Sequence, residues 1–562
     1  MYIRTTARRN RDGSIVRYLQ LAHNERDPQT GMSRARVLYN FGREDAVDRE
    51  ALARLVRSIS RFLSPEDALH AQATSGGPSA LRFVESRPLG GAWVLEHLWQ
   101  RVGIQAAIVK LLRTRKYALP VERALFALVA NRALAPMSKS ACERWVSEEV
   151  VIPELPQVAV HHLYRAMDFL LEAAEEVQRE VFFATSDLLN LEVDLLYFDT
   201  TSTYFEVEEE DAEDAARPGW RKRGYSRDHR PDLPQVVIGL AVTREGIPIR
   251  CWCWPGNTPD ATVIEEVKRD LVGWKLGRVI TVVDTGFTST ENLRTLQRTG
   301  GHYIAGEKLR GGKAAAAEAL RRPGRYQVVR DNLEVKEIVV GAGEARVRYI
   351  LVRNPQEAER DRRQREEALR RLREALAALP AGPSQEHTRA ACALLSHPTY
   401  RRYLRTDKHG WPQIDPDKVR DEARLDGKYL VRTSDDTLPP EDVALGYKQL
   451  IEVEDAFRTL KHTLDLRPVY HRVEERIRAH VLLCWLALLL VRIIERRTDQ
   501  RWPQIRRTLQ RMHLGEFAGP EGAVWQRTET TADQHRLLTA LRIPEPPRIF
   551  AITPARTRAR AL

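Results

Sequence analysis

The chain has 562 residues, more than one hydrophobic core usually serves, so two to four domains are expected. Its 89 Lys and Arg exceed its 77 Asp and Glu, a net charge of +12 that suits a polyanionic partner, most often nucleic acid. The five cysteines (Cys142, Cys251, Cys253, Cys392 and Cys484) make neither a zinc pattern nor a disulfide framework, which excludes a disulfide-stapled secreted fold and suits a reducing cytoplasm.

Residues 1–70 read as a small basic β element followed by a helix. MYIRTTARRNRDG has no apolar core for a signal peptide. Ile15, Tyr18, Leu19 and Leu21 follow an Arg-Asp-Gly turn, and a second turn at 27–31 leads into ARVLYNFG. Arg4, Arg8, Arg9 and Arg11 cluster at the start, as a polyanion contact or as a solvated edge. The pattern turns helical from Ala46 to Leu63, and 72–80 (QATSGGPSA) is linker-like.

Residues 80–190 are helical and are expected to form a DNA-binding region. LPVERALFALVANRAL and SKSACERWV, around 120–147, are the place for a helix-turn-helix or for a plain structural pair. The adjacent His161 and His162 point in different directions on a helix and read as surface or packing residues.

Strands begin at Val193. VDLLYFD is an apolar run ending in Asp199, and QVVIGLAVT and IPIRCWCW flank an Arg244–Gly246 hairpin turn. Residues 259–274 are helical. RVITVVD is a buried-type strand ending in Asp284, Thr288 and Glu291 form a capping-box pattern, and HYIAG is a fifth strand. This order of strand, hairpin, helix, strand, helix and strand fits an RNase H-like fold. The expected class is α/β: a catalytic core in two parts, 191–306 and 426–500, interrupted by a β-rich insertion domain at 307–425. That insertion carries a charged helix at 356–379 whose Leu369, Leu372, Leu376 and Leu379 form a seam, for dimerisation or for packing on the insertion itself. Residues 501–562 read as a helical tail. The longest apolar run, Val481–Val491, falls short of the ~20 residues that cross a bilayer and reads as a buried helix, so no membrane partner is expected.

YKQLIEVEDAFRTLK (447–461) reads as one amphipathic helix. Tyr447, Glu454 and Lys461 recur every seven residues, close to two turns, and so share one side in steps of about 10 Å. Asp199, Asp284 and Glu454 are the candidate catalytic cluster. Three carboxylates so close repel one another unless cations neutralise them, and hard oxygen ligands favour Mg²⁺ or Mn²⁺. Two such ions would serve phosphoryl transfer. The acid run at 206–214 reads as a mobile solvated loop, with a metal role as the alternative. Arg221, Lys222, Arg223, Arg227 and Arg230 form a basic loop suited to phosphate.

The blocks YFDTTSTYFE, PGNTPDAT, VVDTGFTSTENL, the helix at 447–461 and LRPVYHRVEERIRAHVLLCWLALLL, in this order, resemble a bacterial insertion-sequence DDE transposase. The resembled branch carries a Tyr-x2-Arg-x3-Glu-x6-Lys signature helix. Tyr447, Glu454 and Lys461 fall at its spacings, while Leu450 stands in place of its arginine. Arg458 or Arg432 are the residues placed to compensate. The resemblance implies cut-and-paste movement, in which terminal inverted repeats are nicked and the freed 3′-hydroxyl is joined to target DNA. It implies Asp199, Asp284 and Glu454 as ligands of two Mg²⁺ (or Mn²⁺) ions. Tyr447, Lys461, Arg458 and Arg432 would contact DNA, and a homodimer would pair two element ends on double-stranded DNA of the nucleoid. Relatives with this signature can proceed through a DNA hairpin. A metal-dependent nuclease of the same fold, or a non-catalytic DNA-binding derivative, are the other readings.

Overall fold

The N-terminus forms three antiparallel strands, in the computed structural model, ordered β1 (Tyr2–Arg9), β2 (Ile15–Arg26) and β3 (Ser33–Arg43). Helix α1 (Arg49–Ser60) follows. The structure describes residues 1–26, 31–60, 81–115, 117, 120–189, 194–213, 219–274, 279–310, 314–343, 346–380, 384–519 and 522–554. The linker-like stretch at 72–80 and most of the second turn lie outside these residues. Met1–Val84, with two short C-terminal stretches, forms one compact unit, and the rest of the chain forms another.

The second unit is built on a nine-stranded sheet, counted among the described residues. Its strands are β4 (Leu195–Tyr204), β5 (Gln235–Thr243), β6 (Pro248–Pro255), β7 (Ile280–Val283), β8 (His302–Glu307), β9 (Gln327–Arg330), β10 (Leu333–Val340), β11 (Val347–Arg353) and β12 (Lys428–Thr433). The order across the sheet is β9-β10-β11-β12-β8-β7-β4-β5-β6. The central trio β4, β7 and β8 runs parallel, and every other neighbouring pair is antiparallel. Parallel strands covered on both faces read as continuous apolar runs, as LLYF and ITVV do. Gly246, with φ +71°, turns the β5–β6 hairpin where its Arg-Glu-Gly sequence places it.

Several expectations are corrected. Helix α2 (Val121–Leu134) has every residue buried except Arg123, so it is a core helix with no face left to read DNA itself. The strands of the presumed insertion do not form a separate β-rich body. β12 pairs with both β8 and β11, so β9, β10 and β11 extend the main sheet, while Leu404–Thr406 and Pro412–Ile414 pair only with each other. The rest of that stretch is mainly helical: Ala314–Arg321, Pro355–Ala377, Gln385–Ser396 and Pro416–Ala423. The charged helix starts where Asn354 accepts the amides of Gln356 and Glu357, and its Leu369 and Leu372 pack against Tyr403 and Leu404. Its seam is therefore covered by its own chain. The C-terminal stretch is not all helix. After Trp502–Gln510, strands form at His513–Gly519, Gly522–Arg527 and Ile549–Pro554, with one helix between them at Ala532–Leu541.

Three more helices position the site: α3 (Pro440–Lys448), α4 (Ile451–His462) and α5 (Glu474–Thr498). α5 is long and apolar enough to cross a membrane, yet residues from Ile477 to Glu495 are buried in the protein core, with Arg478 excepted. Its Arg492 is held by Glu452 of α4 at 2.8 Å and by Glu495 at 3.4 Å, which ties α4 to the core helix.

Candidate active site

The site starts from the register of two parallel strands. Leu195 pairs with Ile280 and Phe198 with Val283, so Asp199 and Asp284 are the next residues on each strand and leave the sheet side by side. Asp199 does not end its strand. Beyond the end of β7, the β-branched Thr200, Thr201 and Thr203 go on pairing with Gly239, Ile238 and Val236 of β5. Asp284 opens a single turn of 3₁₀ helix, Thr285–Phe287. The next helix is capped by Ser289, whose hydroxyl accepts from the Asn292 amide. Thr288 sits outside the cap, bonded to the Thr285 carbonyl.

The helix expected at 447–461 is two helices. Leu450 N–H bonds Tyr447 O, Glu452 N–H bonds Gln449 O, and Val453 N–H bonds Leu450 O, so the i→i−4 pattern tightens between α3 and α4. Gln449 is anchored there by the Tyr197 hydroxyl at 2.8 Å, and Leu450 is buried. Tyr447 therefore leaves α3, while Glu454 and Lys461 leave α4.

Tyr447 donates a hydrogen bond to Asp284 Oδ1 at 3.2 Å. Burial, and then the negative charge of Asp284, push its phenol well above the usual range, with Glu454 adding to the effect. Its hydroxyl fits because position 306 of β8 is glycine. A Cβ there would overlap the Tyr447 oxygen. Gly306→Ala is expected to destabilise the fold by about 1–3 kcal/mol. In a Tyr447→Phe background the same change should cost less, because the overlapping oxygen is gone. Thermal melts of the four proteins check this.

Asp199 is half-buried, and its carboxylate accepts the Thr200 amide at 2.7 Å. Burial pushes its carboxyl up to about 7, with Asp284 and Asp260 adding to the rise and Arg227 opposing it. Glu454 lies exposed in the first turn of α4. Asp199 and Asp284 are thus brought together. Among the described residues, no three Asp, Glu, His or Cys side chains converge at metal-ligand spacing.

Arg227, Asp260 and Thr200 form a closed triangle beside Asp199. Arg227 donates to Asp260 Oδ2 at 2.6 Å and to Thr200 Oγ1 at 2.5 Å, and Thr200 donates to Asp260 Oδ1 at 2.6 Å. Sequence reasoning gave Asp260 no role, although it lies in the quoted PGNTPDAT block. Asp228 was missed as well. It pairs with Lys461 at 2.9 Å and with Arg467 at 3.4 Å, and the Asp228 and Lys461 side chains are only 11% and 10% exposed. Burial lowers the Lys461 ammonium, and Asp228 partly offsets that. Arg467 and Arg230 both lie over the Tyr204 ring, at 4.7 and 5.3 Å.

The other DNA-contact candidates separate. Arg458 is exposed and pairs with Asp455 one turn earlier. Arg432 lies on β12 over the Tyr303 ring at 5.9 Å, with no hydrogen-bond partner for its Nε among the described residues. The acid run is not a free loop. Asp211 takes Arg221 and the Trp220 and Arg221 amides, Glu210 takes the Arg223 amide, and Glu213 takes Lys222.

Residues 200–490, more than half of the chain, match the family model of the transposase DDE domain. The chain belongs to that family and is a DNA transposase. Residues 3–70 match the N-terminal domain of the IS1634 family of transposases, which makes it an insertion-sequence transposase. Among solved structures, a cryo-EM structure of the piggyBac transposase synaptic complex with hairpin DNA is similar at 10% identity and a TM-score of 0.35, over 75% of this chain and 78% of that one. A likeness that distant carries no argument here. No curated protein matches.

Proposed function

We propose that this transposase nicks the terminal inverted repeats of its element and joins the freed 3′ ends to target DNA, using an RNase H-like core at 191–306 and 426–500 with an insertion at 307–425. The observation that carries the reading is the side-by-side placement of Asp199 and Asp284 on adjoining parallel strands. Asp199 is a half-buried carboxylate that accepts the Thr200 amide and is crowded by other acids. Such a donor set fits a hard divalent cation. Asp199, Asp284 and Glu454 would hold one or two Mg²⁺ or Mn²⁺ ions, which when bound activate the attacking oxygen and neutralise the leaving one.

The chain's own groups then have distinct tasks. Tyr447 fixes the rotamer of Asp284. The Arg227–Asp260–Thr200 triangle holds a positive charge beside Asp199. Lys461 and Arg467, now facing the Asp228 carboxylate, are spaced to take a DNA phosphate in its place. Arg458 and Arg432 are further candidates for backbone contacts. A homodimer on two paired ends, working on nucleoid DNA in the cytoplasm, completes the reading.

The test is incubation of the protein with Mg²⁺ and a duplex carrying the DNA that flanks this reading frame. Nicks at the element boundaries and strand-joined products are expected. Nicks scattered without joining would instead mark a plain nuclease.

A further inference from the structure

We propose that the three-stranded sheet β1-β2-β3 reads base edges in the major groove of the element-end DNA. The inference rests on the transposase reading for its choice of DNA, but not on the role of the acids.

Strand pairing sorts the side chains onto two faces, since directly paired residues share a side. Arg4 pairs with Gln20, and Gln20 with Asn40, so one row across the sheet carries a guanidinium and two amides. On the other face Ile3 pairs with Leu21 and Leu21 with Tyr39. Leu21 and Tyr39 line a groove with Ala51, Leu52 and Leu55 of α1. The apolar face thus meets the unit's own helix at Leu21 and Tyr39, while in the polar row Arg4 and Asn40 are exposed and Gln20 is half-buried.

The open row has the chemistry of base recognition. Arginine matches the two acceptors of guanine, and Asn or Gln matches the donor and acceptor of adenine. Among the described residues Arg4 takes no carboxylate partner and the Gln20 amide takes no hydrogen bond. Asn40 accepts only from the Gly42 amide at 3.1 Å, which leaves its NH₂ group available. Three strands spaced about 4.8 Å apart span about 10 Å, within a major groove about 12 Å wide.

The charge agrees. Residues 1–60 hold twelve arginines and no lysine against seven carboxylates. Arg8, Arg9 and Arg11, at the end of β1 and in its turn, take no carboxylate among the described residues and suit phosphates beside the groove. An acidic protein surface would satisfy the arginines but would not call for the amide row. The major groove of an RNA duplex is too narrow to admit a sheet.

The test measures binding of the full-length protein, without divalent metal, to two duplexes across a salt series. One carries the DNA flanking the reading frame, and the other is a shuffled sequence of equal length and composition. Gln20→Ala and Asn40→Ala should each reduce the preference for the flanking duplex by about tenfold or more, with an unchanged salt slope. Arg9→Ala should weaken both duplexes alike and lower the slope by about one. Gln20→Glu, which keeps the size of the side chain, should lose the preference like Gln20→Ala.

Wild-type preference in the Gln20 and Asn40 variants would overturn the proposal. So would a parallel loss on both duplexes, or a wild-type protein that prefers an RNA duplex or shows no preference. Mg²⁺-dependent nicking by the same preparations separates the two readings. Selective binding without nicking would sink the acid site alone, and nicking with selectivity untouched in the variants would sink the sheet alone.

Discussion

Asp284→Asn should lower Mg²⁺-dependent nicking at the element ends by roughly a thousandfold or more while leaving end binding within about twofold. The rate estimate follows from the several kcal/mol that a correctly held divalent ion contributes to phosphoryl transfer, with each ~1.4 kcal/mol worth a factor of ten. Asparagine keeps the size of the side chain and an oxygen for the Tyr447 hydroxyl, so the local packing survives. What it removes is one of the two negative charges set side by side at the ends of the paired parallel runs. Gel-based nicking and mobility-shift assays on one preparation separate the two effects. Nicking that survives unchanged would remove Asp284 from the chemistry.

Asp260→Ala should lower nicking by about ten- to a hundredfold, with end binding largely kept. Asp260 takes one hydrogen bond from Arg227 and one from Thr200, so its loss frees the guanidinium that stands beside Asp199. A displacement of about 1 Å near reacting groups is enough for an effect of this size. On the proposed reading Asp260 acts through Arg227, as a positioning residue. The effect should therefore fall on kcat more than on KM, and Asp260→Glu should recover part of it. An equal loss of kcat and of thermal stability in both variants would reduce Asp260 to a structural residue.

The parts of this site that follow from local pattern were legible in the sequence. The apolar runs LLYF and ITVV each lead into an acid, and parallel pairing of such runs puts the acids side by side. The spacing of Tyr447, Glu454 and Lys461 correctly marked a helical region beside that edge. The break at Gln449–Leu450 was not legible, because both residues keep helical torsions and the apolar periodicity runs through them. Nor was the continuation of β4 past Asp199, since threonines are as common in turns as on a strand edge and only the partner β5 decides.

Long-range ion pairs were beyond reach for a different reason. Asp228 and Lys461 are 233 residues apart, and no local rule joins a loop carboxylate to a helix ammonium. The same holds for the acid run, whose partners lie in the basic loop that follows it. The helices around 120–147 were open to a helix-turn-helix or a plain structural pair, and only tertiary packing reveals that the faces of α2 are spent in the core. In the N-terminal sheet, the cluster of arginines was visible, but the row of Arg4, Gln20 and Asn40 appears only once the register is known.

The most direct measurement of the central claim, that Asp199, Asp284 and Glu454 hold a divalent ion, is iron-directed cleavage of the protein's own backbone. Fe²⁺ bound in place of Mg²⁺, with ascorbate and peroxide, releases hydroxyl radicals that cut the chain next to the metal. The account predicts cuts close to residues 199, 284 and 454, suppressed by excess Mg²⁺ and absent in Asp199→Asn. Cuts clustered elsewhere, or a pattern unchanged by that substitution, would contradict it.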